Sequence, residues 1–304
     1  MTPKMVSSFR RSLSFSHPKD TTKRTTSQVS HVRSTSLPCR SHPLLSQLKD
    51  HLNHLKSSWA AAGSNPVSRT SAWLCDGLAQ LKTVHDYLDD ILHLPQTQES
   101  LRRQPDWVDQ LLEDFLRFVD AYGIFQTLVF GLKQQHSAAQ VAVRRRKDES
   151  KIEVYAKAVR KMEKEMGVLV STIRCITRIN SSNTLIFNVD AELVEAILDV
   201  KEVTVLVSTV LFSGISLSFM SKKRSWMRLR RKGKVEEGVQ EFKQVGTEYC
   251  CLWGLRKKED EEMRMVLKRM NELEDCIVKI EMGSERVFRS LLNSRVALLN
   301  VLTK

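Results

Sequence analysis

The chain has 304 residues, a formal net charge of +13, 41% hydrophobic and 27% charged residues. It is long enough to bury a core without disulfide staples. Its few aromatics, 11 Gly and 7 Pro argue against a β-rich fold built on many turns. About half of the excess charge lies in the first 40 residues, where eight Lys/Arg face the single Asp20. A second acid-free block holds Lys222, Lys223, Arg224, Arg228, Arg230, Arg231, Lys232 and Lys234. Elsewhere the charge nearly balances, so the body is not a uniformly basic nucleic-acid clamp.

Residues 1–41 are rich in Ser, Thr and Arg and poor in large apolar residues. Such a stretch cannot bury enough surface to offset its ordering entropy and reads as a disordered tail. Its composition also suits a plastid or mitochondrial transit segment, so cytoplasmic residence and organelle import are both open. Within it, Arg33-Ser34-Thr35-Ser36-Leu37-Pro38 fits the pattern bound by 14-3-3 proteins once Ser36 is phosphorylated. A phosphate adds nearly two negative charges for an Arg/Lys-lined groove, and Pro38 turns the chain out of it. Arg33, three residues before Ser36, suits a basophilic kinase. Arg11-Ser12-Leu13-Ser14 repeats that spacing without the proline.

From residue 42 the pattern is helical. Pro43 is a good first-turn residue, and Leu44, Leu45, Leu48, Leu52 and Leu55 follow at helical spacing up to a break at Gly63-Ser64-Asn65-Pro66. The next helix begins near Ser71 with Leu74, Leu78, Leu81, Val84, Leu88, Ile91 and Leu92 on one face. Pro95 stops it, and Gln96–Arg103 reads as a connecting turn. His85, with Asp86, Asp89 and Asp90, reads as part of a solvated face.

Pro105 opens a long helix with Asp106 and Asp109 at its positive end. Its apolar stripe is Trp107, Leu111, Phe115, Phe118, Val119, Tyr122 and Phe125, and Arg144-Arg145-Arg146-Lys147 lie at its negative end. Another helix runs from Glu149 to about Ile179, and Asn180–Asn183 is a loop. Asp190 opens a helix that becomes continuously apolar from Val203 to Met220.

Two readings of Val203–Met220 are open. It is the central helix of a bundle, apolar because neighbours cover every face. Alternatively it contacts or spans a membrane, with the adjoining basic block as anchor. That block, Lys222–Lys234, reads as a solvated linker, an acidic-lipid contact or a nuclear signal.

The clearest periodicity closes the chain. Met263, Val266, Met270, Leu273, Ile277, Ile280, Ser284, Val287, Leu291, Ser294, Leu298 and Val301 alternate spacings of three and four, a heptad seam over about five heptads. Gly283 is expected to break it into a helical hairpin. The seam suits either an internal bundle face or a homodimer.

The fold expected is therefore all-α: a multi-helix bundle over 42–304 of long antiparallel helices, with a basic linker near 222–234. No phosphate-binding loop, dinucleotide fingerprint, nucleophile elbow or metalloprotease motif appears. His51 and His54 lack a third metal ligand, and the six cysteines show no paired spacing. No enzyme activity and no cofactor are expected; nor is specific nucleic-acid readout.

His31-Val32-Arg33-Ser34-Thr35-Ser36-Leu37-Pro38 and His42-Pro43-Leu44-Leu45-Ser46 resemble the opening of the plant-specific domain of unknown function 241 family, grouped with the BYPASS-related proteins. Leu94-Pro95-Gln96-Thr97-Gln98, Trp107-Val108-Asp109-Gln110-Leu111-Leu112, Arg144-Arg145-Arg146 and Ser294–Leu302 resemble its later landmarks. The likeness runs from about residue 31 to the C-terminus, and residues 1–30 extend beyond it. It implies a plant protein associated with root and shoot development, without catalytic residues to carry over. The expected role is an intracellular, non-enzymatic one exercised through protein contacts, with a phospho-regulated tail.

Overall fold

The computed structural model describes residues 42–62, 70–178, 191–219, 238–243 and 259–303, all of them within one compact unit, Ser41–Lys304. These residues are helical apart from short connections and contain no strand. The helices are α1 (Pro43–Ala62), α2 (Ser71–Leu92), α3 (Pro95–Arg102), α4 (Pro105–Arg145), α5 (Glu149–Arg178), α6 (Ala191–Phe219) and α7 (Asp260–Thr303). The tail 1–41, the break at Gly63–Pro66, the Asn180–Asn183 loop, Asp190 and the basic block Lys222–Lys234 lie outside the described residues.

Local chemistry accounts for the helix ends. The Thr70 side chain accepts from Trp73 N at the start of α2, which satisfies one of the unpaired amides of the first turn. Pro95 and Pro105 occupy first-turn positions of α3 and α4, where a missing N–H costs nothing. The α4–α5 connection turns through Arg146 and Asp148, both at positive φ. Arg146 terminates α4 in the left-handed conformation and its guanidinium pairs with Asp260 at the start of α7.

Helix directions follow from which residues meet. Trp59 stacks on Trp73 at 4.3 Å and His51 lies 4.9 Å from Tyr87, so α1 and α2 are antiparallel. Arg146 meets Asp260 and Lys133 meets Glu281, so α4 and α7 are antiparallel too. Ser71 meets Cys276, Asp86 meets Ser290 and Leu78 lies against Gly283. These numbers rise together, so α2 and α7 run parallel. Around the core the packing order is α2, α7, α4, α5, α6 and back to α2, with α1 lying on α2 and α6. A ring of five helices cannot alternate direction throughout. The α2–α7 pair is where two neighbours share one.

That pair is packed closely. A Cβ on Gly283 would come within 3.1 Å of Leu78 Cδ1, so glycine sits in the seam to admit the neighbouring helix. The expected hairpin is therefore replaced by one uninterrupted helix of 44 residues. Every seam residue from Met263 to Val301 is buried, against α2 and α4 of the same chain. The seam serves the bundle and is not free for a homodimer. Ser284 and Ser294 donate to the carbonyls of Glu281 and Ser290 within α7, which satisfies their hydroxyls in an apolar setting.

The segment expected as a turn, Gln96–Arg103, instead forms most of α3. Pro95 initiates rather than merely stops, Gln98 N donates to Leu94 O at 3.0 Å, and Thr97 and Leu101 are buried. Arg102 Nε then donates to Val301 O at 3.1 Å, placing a cation on the unpaired carbonyls at the end of α7.

Helix α6 is the most enclosed apolar element. It is long and apolar enough to cross a membrane, as is α4, and 61% of its most apolar 18-residue window is buried inside the bundle. Three of its buried polar residues meet partners on neighbouring helices. Lys201 pairs with Asp114 in the interior, Thr204 meets His85 Nε2 at 3.0 Å, and Ser208 meets Tyr122 Oη at 3.0 Å. With Phe212 against Phe125 at 5.0 Å, these contacts place α6 parallel to α4 across the core. On the outer side Lys49 bridges Glu192 and Glu195, and Lys56 bridges Asp199 and Glu202, tying α1 to α6 in parallel register.

A buried ammonium deprived of its carboxylate is costly. Replacing Asp114 with Leu should lower unfolding free energy by about 3–5 kcal/mol. The double variant Asp114→Leu/Lys201→Met should recover most of that loss in urea titrations, because a matched apolar pair needs no desolvated charge.

Candidate functional site

Titratable groups inside the bundle are engaged in packing. Thr204 Oγ1 donates to Val200 O at 2.7 Å, so its proton is committed and His85 Nε2 must be the donor between them. His85 is thus a neutral Nε2–H imidazole with its Nδ1 buried and unpartnered. It is completely buried, edge-on to Phe115 at 5.9 Å. Burial pushes its pKa down to about 4, with Asp86 opposing the shift. The expected solvated face is therefore corrected at this residue. His85 lies four residues after Leu81 and three before Leu88, on the apolar stripe. Of the neighbouring acids Asp90 is exposed, while Asp86 and Asp89 are half-buried and Asp86 accepts from Ser290 Oγ at 3.0 Å.

His136 follows the same logic. Its Nε2 donates to Met270 O at 2.9 Å, linking α4 to α7, and burial lowers its pKa. His51 and His54 stay on α1, with His51 against Tyr87. Among the described residues no three His, Cys, Asp or Glu side chains are placed to hold a metal ion.

A second polar node lies where the 238–243 segment meets α2. Val239 N donates to Ser218 Oγ at 2.7 Å, and a Cβ on Gly238 would sit 2.6 Å from Ser218 N, so only glycine lets the segment approach α6. Val239 and Phe242 are buried, which aims Glu241 at the start of α2. Its carboxylate accepts from Ser71 N at 3.0 and 3.1 Å and from Ser71 Oγ at 2.8 Å. An anion there meets the positive end of the helix dipole. Cys276 Sγ lies 3.0 Å from Ser71 Oγ. Burial pushes the thiols of Cys75 and Cys276 upward, which makes them poor nucleophiles.

Among the described residues, a cleft of about 230 Å³ opens between the parallel helices α2 and α7. Cys75, Leu78 and Ala79 of α2 and Met282 and Gly283 of α7 form its apolar floor and wall, and Lys82, Lys279 and Arg286 stand at its rim. Gly283 sets its depth, since any side chain there would fill the junction with Leu78. The heptad pattern marks the seam residues. The flanking Lys279, Met282 and Arg286 form a site only against α2, a neighbour that the heptad pattern does not specify. Residues expected from sequence to carry recognition, Arg33, Ser34, Ser36 and Pro38 in the tail and Lys222, Lys223, Arg224, Arg228, Arg230, Arg231 and Lys232 in the linker, lie outside the described residues.

Fold and site together define an all-helical bundle whose interior polar groups are structural and whose surface offers a small cleft. The chain belongs to the BPS1 family: the family model described as Protein BPS1 matches residues 77–301, from the second turn of α2 to the last turn of α7. This is the group that the landmarks of the domain of unknown function 241 pointed to. No curated protein matches the chain, and no solved structure does.

The buried imidazoles give the fold a pH dependence. The unfolded chain takes up a proton on His85 near its ordinary value of 6.5, but the folded chain only near 4. Between these values the unfolded state binds more protons, so stability falls as pH drops. His85 should contribute a loss on the order of 3 kcal/mol by about pH 4. Urea midpoints at about pH 7 and pH 4.5 should differ less for His85→Leu than for wild type.

Proposed function

We propose that the chain is a non-enzymatic docking protein acting in plant growth and development, with the bundle as its binding body and the N-terminal segment as a phosphorylation-dependent contact. The observation that carries this reading is the commitment of interior polar groups to structure. His85 serves Thr204, His136 serves a backbone carbonyl, Lys201 neutralises Asp114, and Glu241 caps α2. None converges with another on a space that a substrate could enter, whereas catalysis needs such convergence. BPS1 family membership is consistent with a plant developmental role. The Arg33–Pro38 pattern supplies the regulatory contact: phosphorylated Ser36 would engage a 14-3-3 protein after a basophilic kinase acts on it.

Membrane association is the second reading, favoured by the apolar length of α4 and α6. The matching of Lys201, Thr204 and Ser208 to partners on α4 and α2 supports cytoplasmic residence, since these contacts give α6 a packed interior role. A carbonate wash of plant membranes separates the readings: a membrane span stays in the pellet and a docked bundle is released.

Co-purification from plant cells tests the leading reading. A 14-3-3 protein should accompany the wild-type chain and be lost from Ser36→Ala, while partners of the bundle remain. Equal recovery from both forms would contradict the phospho-dependent contact.

A further inference from the structure

The cleft between α2 and α7 combines three properties that single out one kind of occupant. Its floor is apolar, formed by Leu78, Ala79, Met282 and Gly283, and Met282 is 49% exposed at its lip. A half-exposed methionine beside a gap offers an adaptable contact for an aliphatic side chain. At about 230 Å³ the cleft is smaller than a typical cofactor or drug-sized pocket, and it suits one or two side chains of a peptide.

Its rim carries Lys82, Lys279 and Arg286. Exposed Asp275, one turn before Lys279, makes no ion pair with it, and three other nearby acids are engaged elsewhere. Asp86 is taken by Lys82, Glu281 by Lys133 and Glu285 by Arg289. Lys279 and Arg286 are exposed and have no ion-pair partner among the described residues. They lie seven residues apart on one face of α7, which is two turns or about 10 Å. The spacing also matches two turns of a helix laid alongside.

We infer that this cleft docks an acidic amphipathic helix of a partner protein. One or two leucine-like side chains would enter between Leu78 and Met282, and carboxylates two turns apart would meet Lys279 and Arg286. Charge complementarity selects the occupant. The chain's own first 40 residues, with eight cations and one acid, lack the negative charge that this rim selects. The inference rests on the docking-protein reading and gives it a surface and a ligand chemistry.

The test uses the purified full chain and a fluorescein-labelled helical peptide carrying two leucines on one face, flanked by glutamates two turns apart. A lysine version of the peptide and leucine-free polyglutamate serve as controls. Wild type should bind the glutamate peptide at least about ten-fold more tightly than either control, with affinity falling as salt rises. Lys279→Glu/Arg286→Glu should reverse the preference between the glutamate and lysine peptides. Ala79→Trp, which fills the cleft from an exposed position, should weaken binding about ten-fold and keep the charge preference. Circular dichroism confirms that each variant is folded.

Equal binding of polyglutamate would overturn the inference by reducing the rim to a diffuse basic surface. Unchanged binding by the charge-reversed variant would overturn it as well, as would a wild-type dimer that this variant dissolves, since the cleft would then hold a second copy. The peptide assay involves neither Ser36 nor 14-3-3, so its failure is separate from failure of the tail contact.

Discussion

The buried pair of Lys201 and Asp114 is the constraint around which the bundle is arranged. Two charges removed from water are tolerated only when they face each other closely, and this pair can form in one register of α6 against α4. Once it is set, Thr204 falls opposite His85 and Ser208 opposite Tyr122, so Lys201, Thr204 and Ser208 all find partners across the core. An apolar helix without these residues could slide or rotate at little cost. With them, a shift of one residue would strand several buried polar groups at once. The polar residues set within this apolar helix are thus the ones that fix its place in the core.

A second constraint is topological. Five helices closing a ring must include one parallel pair of neighbours, and here it is α2 with α7. These two helices are distant in sequence, and their contact is made close by Gly283 against Leu78. The cleft of the candidate site lies along this junction. The cleft is therefore a by-product of how the ring closes: a glycine that lets the backbones approach leaves Cys75, Ala79 and Met282 around a gap, and the outer positions of the heptad supply its cations.

Much of the fold was legible in the sequence. The apolar stripes of α2 and α4 and the heptads of α7 are buried as their spacing requires, because helical periodicity is set by the backbone and is independent of the partner. Three features were not legible. Gly283 reads as a breaker because glycine has low helix propensity; its tolerance here comes from tertiary contact with Leu78. Pro95 reads as a stop for α2, yet the same residue starts α3 once Arg102 has the end of α7 to hold. His85 looked solvent-facing among three aspartates because its partner, Thr204, is 119 residues away. The candidate cleft was hidden for the same reason, since its two walls come from opposite ends of the bundle sequence.

Native-state hydrogen exchange on the chain purified without detergent tests the central claim, that α6 is locked into the core by its polar matches. The account predicts that amides from Val200 to Ile215 exchange only through global unfolding, at the same free-energy limit as the seam of α7. Exchange of α6 by a faster, separate route while α7 stays protected would contradict it, because the helix would then be a loosely held element whose polar contacts do not anchor it.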